Sequence, residues 1–198
     1  MSEHYYTQNP QSRSNVRQFE TEFEGEKYVF LYDNGVFSKG RLDDGTRRLL
    51  SAAEDIDGDV LDLGCGWGAV GTIIGRKFPQ SRILLSDINE RALEMSRQNL
   101  ALNKITNAAV VQSDSFENIG QCFDCIFTNP PIRTGKKQIY RMFDEALAHL
   151  KAGGRLYIVI RKQQGAESAL KYLEGANPAV VEKDKGYWVI CCRPGQEA

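Results

Sequence analysis

From residue 58 onward the hydrophobic period switches repeatedly between that of a strand and that of a helix, and this alternation limits the fold more than any single residue does. Val60-Leu61-Asp62-Leu63 is a short apolar run that ends in glycines and reads as a buried strand. Val70, Ile73, Ile74 and Phe78 then recur at helical spacing, with Pro79 as the stop. On that helix Gly71 and Gly75 permit close packing onto a sheet. Residues 82–86 form the next strand, and Asn89 is placed to cap a helix running to about Asn103. Further strands fall at 109–112 and 124–128. Ile139, Met142, Phe143, Ala146, Leu147 and Leu150 make one apolar helix face, which Gly153-Gly154 is expected to stop. Residues 156–160 are apolar throughout, as in a central strand covered on both faces. A helix at 166–173 and strands near Val180 and at 187–191 complete the series. The pattern predicts an α/β fold, a doubly wound, mostly parallel, seven-stranded Rossmann-like sheet. In such sheets ligands bind beyond the carboxyl ends of the strands, near the point where strand order reverses.

The first 40 residues follow a different rule. Phe19-x-Thr21-x-Phe23 and Tyr28-x-Phe30-x-Tyr32 alternate around Glu24-Gly25-Glu26, which reads as an N-terminal β-hairpin. We therefore divide the chain into an extension, 1–40, and a main domain, 41–198. With 25 basic against 26 acidic residues, whole-molecule attraction to nucleic acid or anionic membrane is absent, so such binding requires a local patch. Neither a membrane span nor a signal peptide is expected, and a cytoplasmic location follows. Five cysteines, an odd number, read as free thiols; Cys125 begins the apolar run Cys125-Ile126-Phe127, so Cys122-x-x-Cys125 reads as buried strand cysteine and not as a metal or redox pair. No metal site is expected. Only His4 and His149 are available, which leaves histidine-centred catalysis little to work with.

Asp62-Leu63-Gly64-Cys65-Gly66-Trp67-Gly68-Ala69 joins the first strand to the first helix. Its glycines, with Asp87 at the end of the second strand, also fit a dinucleotide fingerprint. Asp62 separates the two readings, because a carboxylate there repels a pyrophosphate but attracts a cationic group. S-adenosylmethionine carries no phosphate and presents an ammonium and a sulfonium. Asp87 is placed to accept from ribose hydroxyls and Asp114 to reach an adenine amino group, with Ser113 or Ser115 beside it.

These residues, together with Asn129-Pro130-Pro131-Ile132 after the fourth strand, resemble a class I S-adenosylmethionine-dependent methyltransferase. Gly35-Val36-Phe37-Ser38, residues 42–46 and residues 129–136 narrow the resemblance to small-domain enzymes that methylate guanine N2 in small-subunit ribosomal RNA. The resemblance implies a cofactor wall of Asp62, Gly64, Cys65, Gly66, Asp87, Ile88, Asp114, Ser115 and Asn129. It also makes Phe37, Ser38 and the turn 43–46 a lid over the methionine end; taken alone, Asp44 reads as a helix cap.

An exocyclic amine is a poor nucleophile because its lone pair is conjugated. The Asn129 side-chain oxygen and the Pro130 carbonyl are placed to accept its N–H groups and favour pyramidal nitrogen, while Pro130 and Pro131 stiffen the loop. Ile132 departs from the commoner pattern, in which an aromatic at this position stacks on the target ring; Phe37 or Tyr140 are the candidates to replace it. Phe37, Arg133, Gly135 and Lys136 are the expected substrate contacts, the cations facing RNA phosphates. The expected partner is ribosomal RNA or the small ribosomal subunit. Three alternatives stay open: a methyltransferase of a protein glutamine amide, a nicotinamide oxidoreductase, and a non-catalytic RNA- or cofactor-binding module.

Overall fold

A computed structural model describes residues 15–33 and 40–195, so Phe37 and Ser38 lie outside the described residues, as does the side chain of Arg133. Strands β1 (Val16–Phe23) and β2 (Glu26–Asp33) form the expected hairpin. Its two-residue turn has Glu24 and Gly25 both at positive φ, 49° and 82°, the twist that matches a hairpin. The remaining elements are α1 (Asp44–Ser51), β3 (Asp59–Leu63), α2 (Ala69–Lys77), β4 (Arg82–Asp87), α3 (Glu90–Leu102) and β5 (Ala108–Gln112). After them come β6 (Phe123–Thr128), α4 (Lys136–Ala148), β7 (Leu150–Arg161), α5 (Ala166–Tyr172), β8 (Pro178–Asp184) and β9 (Tyr187–Cys192).

Seven strands form one sheet in the order β5-β4-β3-β6-β7-β9-β8. Pairs among β5, β4, β3, β6 and β7 are parallel, and β9 runs antiparallel to β7 and β8. The chain enters this sheet at β3, winds outward to β5, and crosses back to β6. The order therefore reverses between β3 and β6, and their carboxyl ends open the crevice where such folds bind ligands.

Alternate residues of each central strand feed two cores. Val60, Tyr157 and Val189 face the layer built by the hairpin, α1, α2 and α3, whereas Leu61, Ile158 and Ile190 face α4 and α5. The apolar continuity of β7 is the sequence trace of being covered on both sides. Thus the hairpin shares a core with the main fold, through Phe23, Tyr28 and Phe30.

The hairpin is fixed by side chains that act as a strand. Asn99 on α3 and Asn103, its C-cap, lie one turn apart and pair with the free edge of β2. Asn103 accepts from the Val29 N–H at 3.1 Å and donates to its carbonyl at 2.7 Å. Asn99 does the same for Leu31, at 2.7 and 2.9 Å, and also donates to the Trp67 carbonyl at 2.7 Å.

One expectation is corrected. Gly153-Gly154 does not end a helix. Helix α4 stops at Ala148 with His149 as its cap, and β7 is already paired at Leu150, opposite Phe123. The glycines form a bulge inside β7, after which Cys125 pairs with Arg155. Gly153 has φ +76°, and a Cβ on Gly154 would lie 2.9 Å from the Lys151 carbonyl. The glycines serve strand geometry, which their apolar flanks alone do not distinguish from a helix stop.

Gly71 supports the expected close packing: a Cβ there would sit 2.5 Å from Cγ of the buried Leu85. Gly71→Ala gains about 1 kcal/mol of helix propensity but overpacks a fixed contact, at about 1–3 kcal/mol or more. We expect the thermal midpoint to fall by about 2–6 °C. An unchanged or higher midpoint by calorimetry would show that Leu85 moves freely.

Candidate active site

The carboxyl ends of β3, β4, β5 and β6, with the helical turns that follow, line a cleft of about 760 Å³. Asp62, Gly64, Cys65, Gly66, Asp87, Ile88, Asp114, Ser115 and Asn129 all line it, as do Pro130, Pro131 and Ile132. Every expected member of the cofactor wall is thus on one surface.

The glycine loop turns by left-handed backbone, with φ of 72° at Gly64, 56° at Gly66 and 82° at Gly68. A Cβ on Gly64 would meet nothing within 4 Å, while one on Gly68 would lie 2.9 Å from Ser96 Oγ. Gly64 is needed for its dihedral angle, and Gly68 also for the close approach of α3. Behind the loop, Trp67 is buried against Phe30 and Phe19, with ring centroids 4.8 and 5.6 Å apart. Together with the Asn99 bond to its carbonyl, this makes the hairpin a buttress of the loop.

Asp87 spans that loop. Its Oδ2 accepts from the Gly66 N–H and its Oδ1 from the Asn89 N–H, both at 2.9 Å. Burial outweighs these bonds and raises its pKa above the usual carboxylate value. Asp62 differs from the expected open carboxylate: it is 3% exposed, and its Oδ2 accepts from Gly71 N–H at 2.8 Å. It anchors the start of α2 from the floor of the cleft. Burial and, to a lesser extent, the Asp87 charge push its pKa up to about 7, against the pull of the Gly71 bond. Burial also raises the Cys65 thiol, so it is a wall group and not a thiolate nucleophile. Ser86 adds to the same wall a buried hydroxyl that has no hydrogen-bond partner among the described residues.

Asn129 follows β6, whose last residue, Thr128, donates to the Leu63 carbonyl at 3.0 Å and so ties this strand end to the glycine loop. Asn129 Nδ2 donates to Thr46 Oγ1 at 3.4 Å, and that hydroxyl donates to Asp43 Oδ2 at 2.6 Å. Asp43 is also the N-cap of α1, accepting from Thr46 N–H. The helix cap is therefore Asp43, and Asp44 begins the helix. A carboxylate, a hydroxyl and an amide thus form one relay that engages the Nδ2 side of Asn129 at the cleft and leaves Oδ1 out of it. Among the described residues no donor takes Asn129 Oδ1 or the Pro130 carbonyl, whereas Pro131's carbonyl is held by the backbone N–H and hydroxyl of Thr134. The Asp43-x-x-Thr46 spacing is a capping signal, and it marks this turn in the sequence; its link to Asn129 lies 83 residues away.

Other expected contacts distribute differently. Gly135, with φ +91°, and Lys136 begin α4 outside the cleft lining, and Lys136 reaches Ser168 Oγ at 3.4 Å. Tyr140 does not supply the missing ring, since it stacks on Tyr172 at 3.9 Å. Tyr187, at the start of β9, also lines the cleft, on the side away from Trp67 of the glycine loop, together with Arg161 at the end of β7. Sequence reading missed both. Ser115 donates to Glu145 Oε2 at 2.5 Å, so the loop after β5 is latched to α4. Among the described residues no group of three or more His, Cys, Asp or Glu side chains could hold a metal ion. No helix among them is long and apolar enough to cross a membrane.

Thr46→Val keeps side-chain volume and removes the relay. It is expected to lower transfer at saturating substrates by about tenfold, with cofactor affinity unchanged and Thr46→Ser restoring the rate. Equal rates in Thr46→Val and wild type would deny the hydroxyl a role in orienting Asn129.

The profile of the family described as Methyltransferase small domain matches residues 27–191. A Bacillus subtilis protein, "Uncharacterized protein YbxB", is 43% identical over 196 residues, covering 96% of this chain and 98% of its own length. A Haemophilus influenzae "Ribosomal RNA small subunit methyltransferase C" is 41% identical over 145 residues, covering 71% of this chain and 42% of its own length. The chain therefore spans less than half of that relative. Among solved structures, a "T. Thermophilus 16S rRNA N2 G1207 methyltransferase" in complex with AdoMet and guanosine superposes with a TM-score of 0.78 at 24% identity, over 94% of this chain and 52% of the other. With the glycine loop, the strand-end acids and Asn129-Pro130-Pro131 on one cleft, the chain belongs to the methyltransferase small-domain family.

Proposed function

We propose that this protein transfers a methyl group from S-adenosylmethionine to an exocyclic amine, the N2 of a guanine in small-subunit ribosomal RNA. The observation that carries the reading is a pair of acceptors, Asn129 Oδ1 and the Pro130 carbonyl, that no donor takes among the described residues, beside an acid-ended cofactor wall. The cofactor is S-adenosylmethionine, which supplies an electrophilic methyl group on a cationic sulfur. The wall fits it. Asp87, oriented by two backbone N–H groups, retains lone pairs for ribose hydroxyls, and the Ser86 hydroxyl has no partner among the described residues. Asp62 offers a buried carboxylate to the positive methionine end, and Ile88, Asp114 and Ser115 suit an adenine.

The protein groups act by positioning. Two acceptors on one amine draw its hydrogens out of the ring plane and localise the lone pair on nitrogen. These bonds strengthen as the nitrogen becomes cationic, so they stabilise the transition state more than the ground state. The new C–N bond takes the nitrogen lone pair, the C–S pair stays on sulfur, and the amine proton leaves to solvent afterwards. Relatives named as ribosomal RNA methyltransferases, and a structural neighbour crystallised with guanosine, support guanine over a protein amide.

The test is transfer of labelled methyl from S-adenosylmethionine to undermodified small ribosomal subunits, followed by nucleoside analysis. N2-methylguanosine is the expected product. Label in a protein side-chain amide, with none in RNA, would replace this substrate by a glutamine.

A further inference from the structure

The cleft is electrically polarised across the sheet. Following the strand order, Asp114, Asp87 and Asp62 stand at the carboxyl ends of β5, β4 and β3, Asn129 follows β6, and Arg161 ends the neighbouring β7. Two arginines with described side chains line the cleft, and they differ. Arg141 is neutralised by Glu145, its Nε 2.7 Å from Oε1. Arg161 is exposed and has no carboxylate partner among the described residues. The cations next to it do have one, Lys162 with Glu167 at 3.4 Å and Lys185 with Asp44 at 3.8 Å.

Arg161 is nonetheless held in place. Its guanidinium carbon lies over the Tyr187 ring, 4.6 Å from the centroid, a cation–π contact that uses none of its N–H donors on a carboxylate. Arg161 and Tyr187 are paired across β7 and β9, and the Lys162 N–H bonds to the Gly186 carbonyl at 2.8 Å just beyond them. The ring in turn packs on the first turn of α1, where a Cβ on Gly45 would lie 2.8 Å from Tyr187 Cε1. That same turn carries Thr46, which orients Asn129. A fixed, uncompensated fork of donors is therefore built onto the element that sets the amine-accepting amide.

We infer that Arg161, held over the Tyr187 ring, binds a backbone phosphate of the RNA strand that carries the target nucleotide. The inference rests on the RNA reading above. A planar guanidinium matches two phosphate oxygens at once, which a lysine ammonium does not. Phosphate contacts fix register and direction. The acids at the other end of the cleft offer the same phosphate no cationic donor, so the base is delivered toward Asn129 from the β7 side.

Arg161→Gln and Arg161→Lys test this, with Arg82→Gln as a control for loss of one positive charge at the opposite end of the sheet. The readouts are transfer kinetics on undermodified small subunits, and binding of a guanine-containing single-stranded oligoribonucleotide across a salt series. Arg161→Gln is expected to raise the KM for RNA about tenfold and to flatten the log–log salt slope by about 0.7, the value for one contact to a single strand. The kcat at saturating RNA and the cofactor Kd stay within about twofold of wild type. Arg161→Lys keeps the slope and recovers part of the affinity, and Arg82→Gln changes neither. A wild-type slope and KM in Arg161→Gln, while the parent methylates RNA, would overturn the Arg161 assignment alone. Failure of the parent chain to bind or methylate RNA would overturn the RNA reading, and the assignment with it.

Discussion

Replacing Asn129 with alanine is expected to lower methyl transfer by about 10²–10³-fold, the scale of losing one pre-oriented hydrogen-bonding group aimed at developing charge. Cofactor affinity should change little, because the glycine loop, Asp87 and Asp62 hold their positions through bonds that do not involve Asn129. The protein should also remain folded: Asn129 is half-buried, and its one described bond is to Thr46 at 3.4 Å. Asn129→Asp is the sharper comparison. It preserves shape and an acceptor oxygen, but places a carboxylate beside the Thr46 hydroxyl, whose own proton is committed to Asp43 at 2.6 Å. The introduced carboxylate would then face a lone pair, and the relay through Thr46 would break. Single-turnover rates on undermodified small subunits, read beside calorimetric cofactor binding, separate these effects. Loss of cofactor affinity in parallel with rate would move Asn129 from amine to cofactor recognition; undiminished transfer would remove it from the reaction.

What could be read from the chain, and what could not, follows from the distance over which each feature is encoded. β3, β4 and β6 announce themselves by the short apolar runs Val60-Leu61, Ile83-Leu84-Leu85 and Cys125-Ile126-Phe127, and the acids within, ending or following the strands stand out against those runs. The glycine loop is equally local, since the required positive φ at Gly64 and Gly66 leaves a mark in sequence. The Arg161–Tyr187 pair has no such mark. It exists because β9 returns antiparallel to β7, bringing together residues 26 positions apart, and an arginine beside a tyrosine means nothing until that register is known. Asn99 and Asn103 look like ordinary helix-surface residues; their role as a surrogate strand appears only when β2 lies against α3. Asp62 was legible in type and place but not in state. A carboxylate at a strand end can project into a ligand or back under a helix, and the spacing to Gly71 does not say which. It does both, lining the cleft while capping the backbone of α2.

That double position of Asp62 sets a second large effect, on stability and on cofactor binding in opposite directions. Its pKa stands at about 7 in the folded protein against an ordinary aspartate value of 3.8, so between those values the folded chain holds a proton that the unfolded chain has released. A group that binds more protons when folded contributes stability at low pH and loses it as pH rises through its folded pKa. Above pH 7 the buried charge is a cost, on the order of a few kcal/mol. Asp62→Asn removes that cost while its side-chain carbonyl can still accept from Gly71. The cofactor-free variant is therefore expected to melt above wild type at pH 8, by about 5 °C, with the difference shrinking toward pH 5. Asp87, whose pKa is also raised by burial, keeps a residual slope of the same sign in the variant. Binding should move the other way. A cationic methionine end stabilises the ionised carboxylate, so wild-type affinity weakens as pH falls from about 8 to 6, by up to tenfold per unit below the pKa of Asp62. The asparagine variant binds at least about tenfold more weakly at pH 8 and loses most of that pH dependence. Thermal melts without cofactor and titration calorimetry with it, both run from pH 5 to 8, read the two halves separately. A variant that melts below wild type at pH 8 would mean that Asp62 is ionised in the fold without penalty, and an unaltered pH profile of binding would place the methionine end elsewhere. The expected result, a stabler protein that binds less, is the signature of a charge kept buried for its ligand.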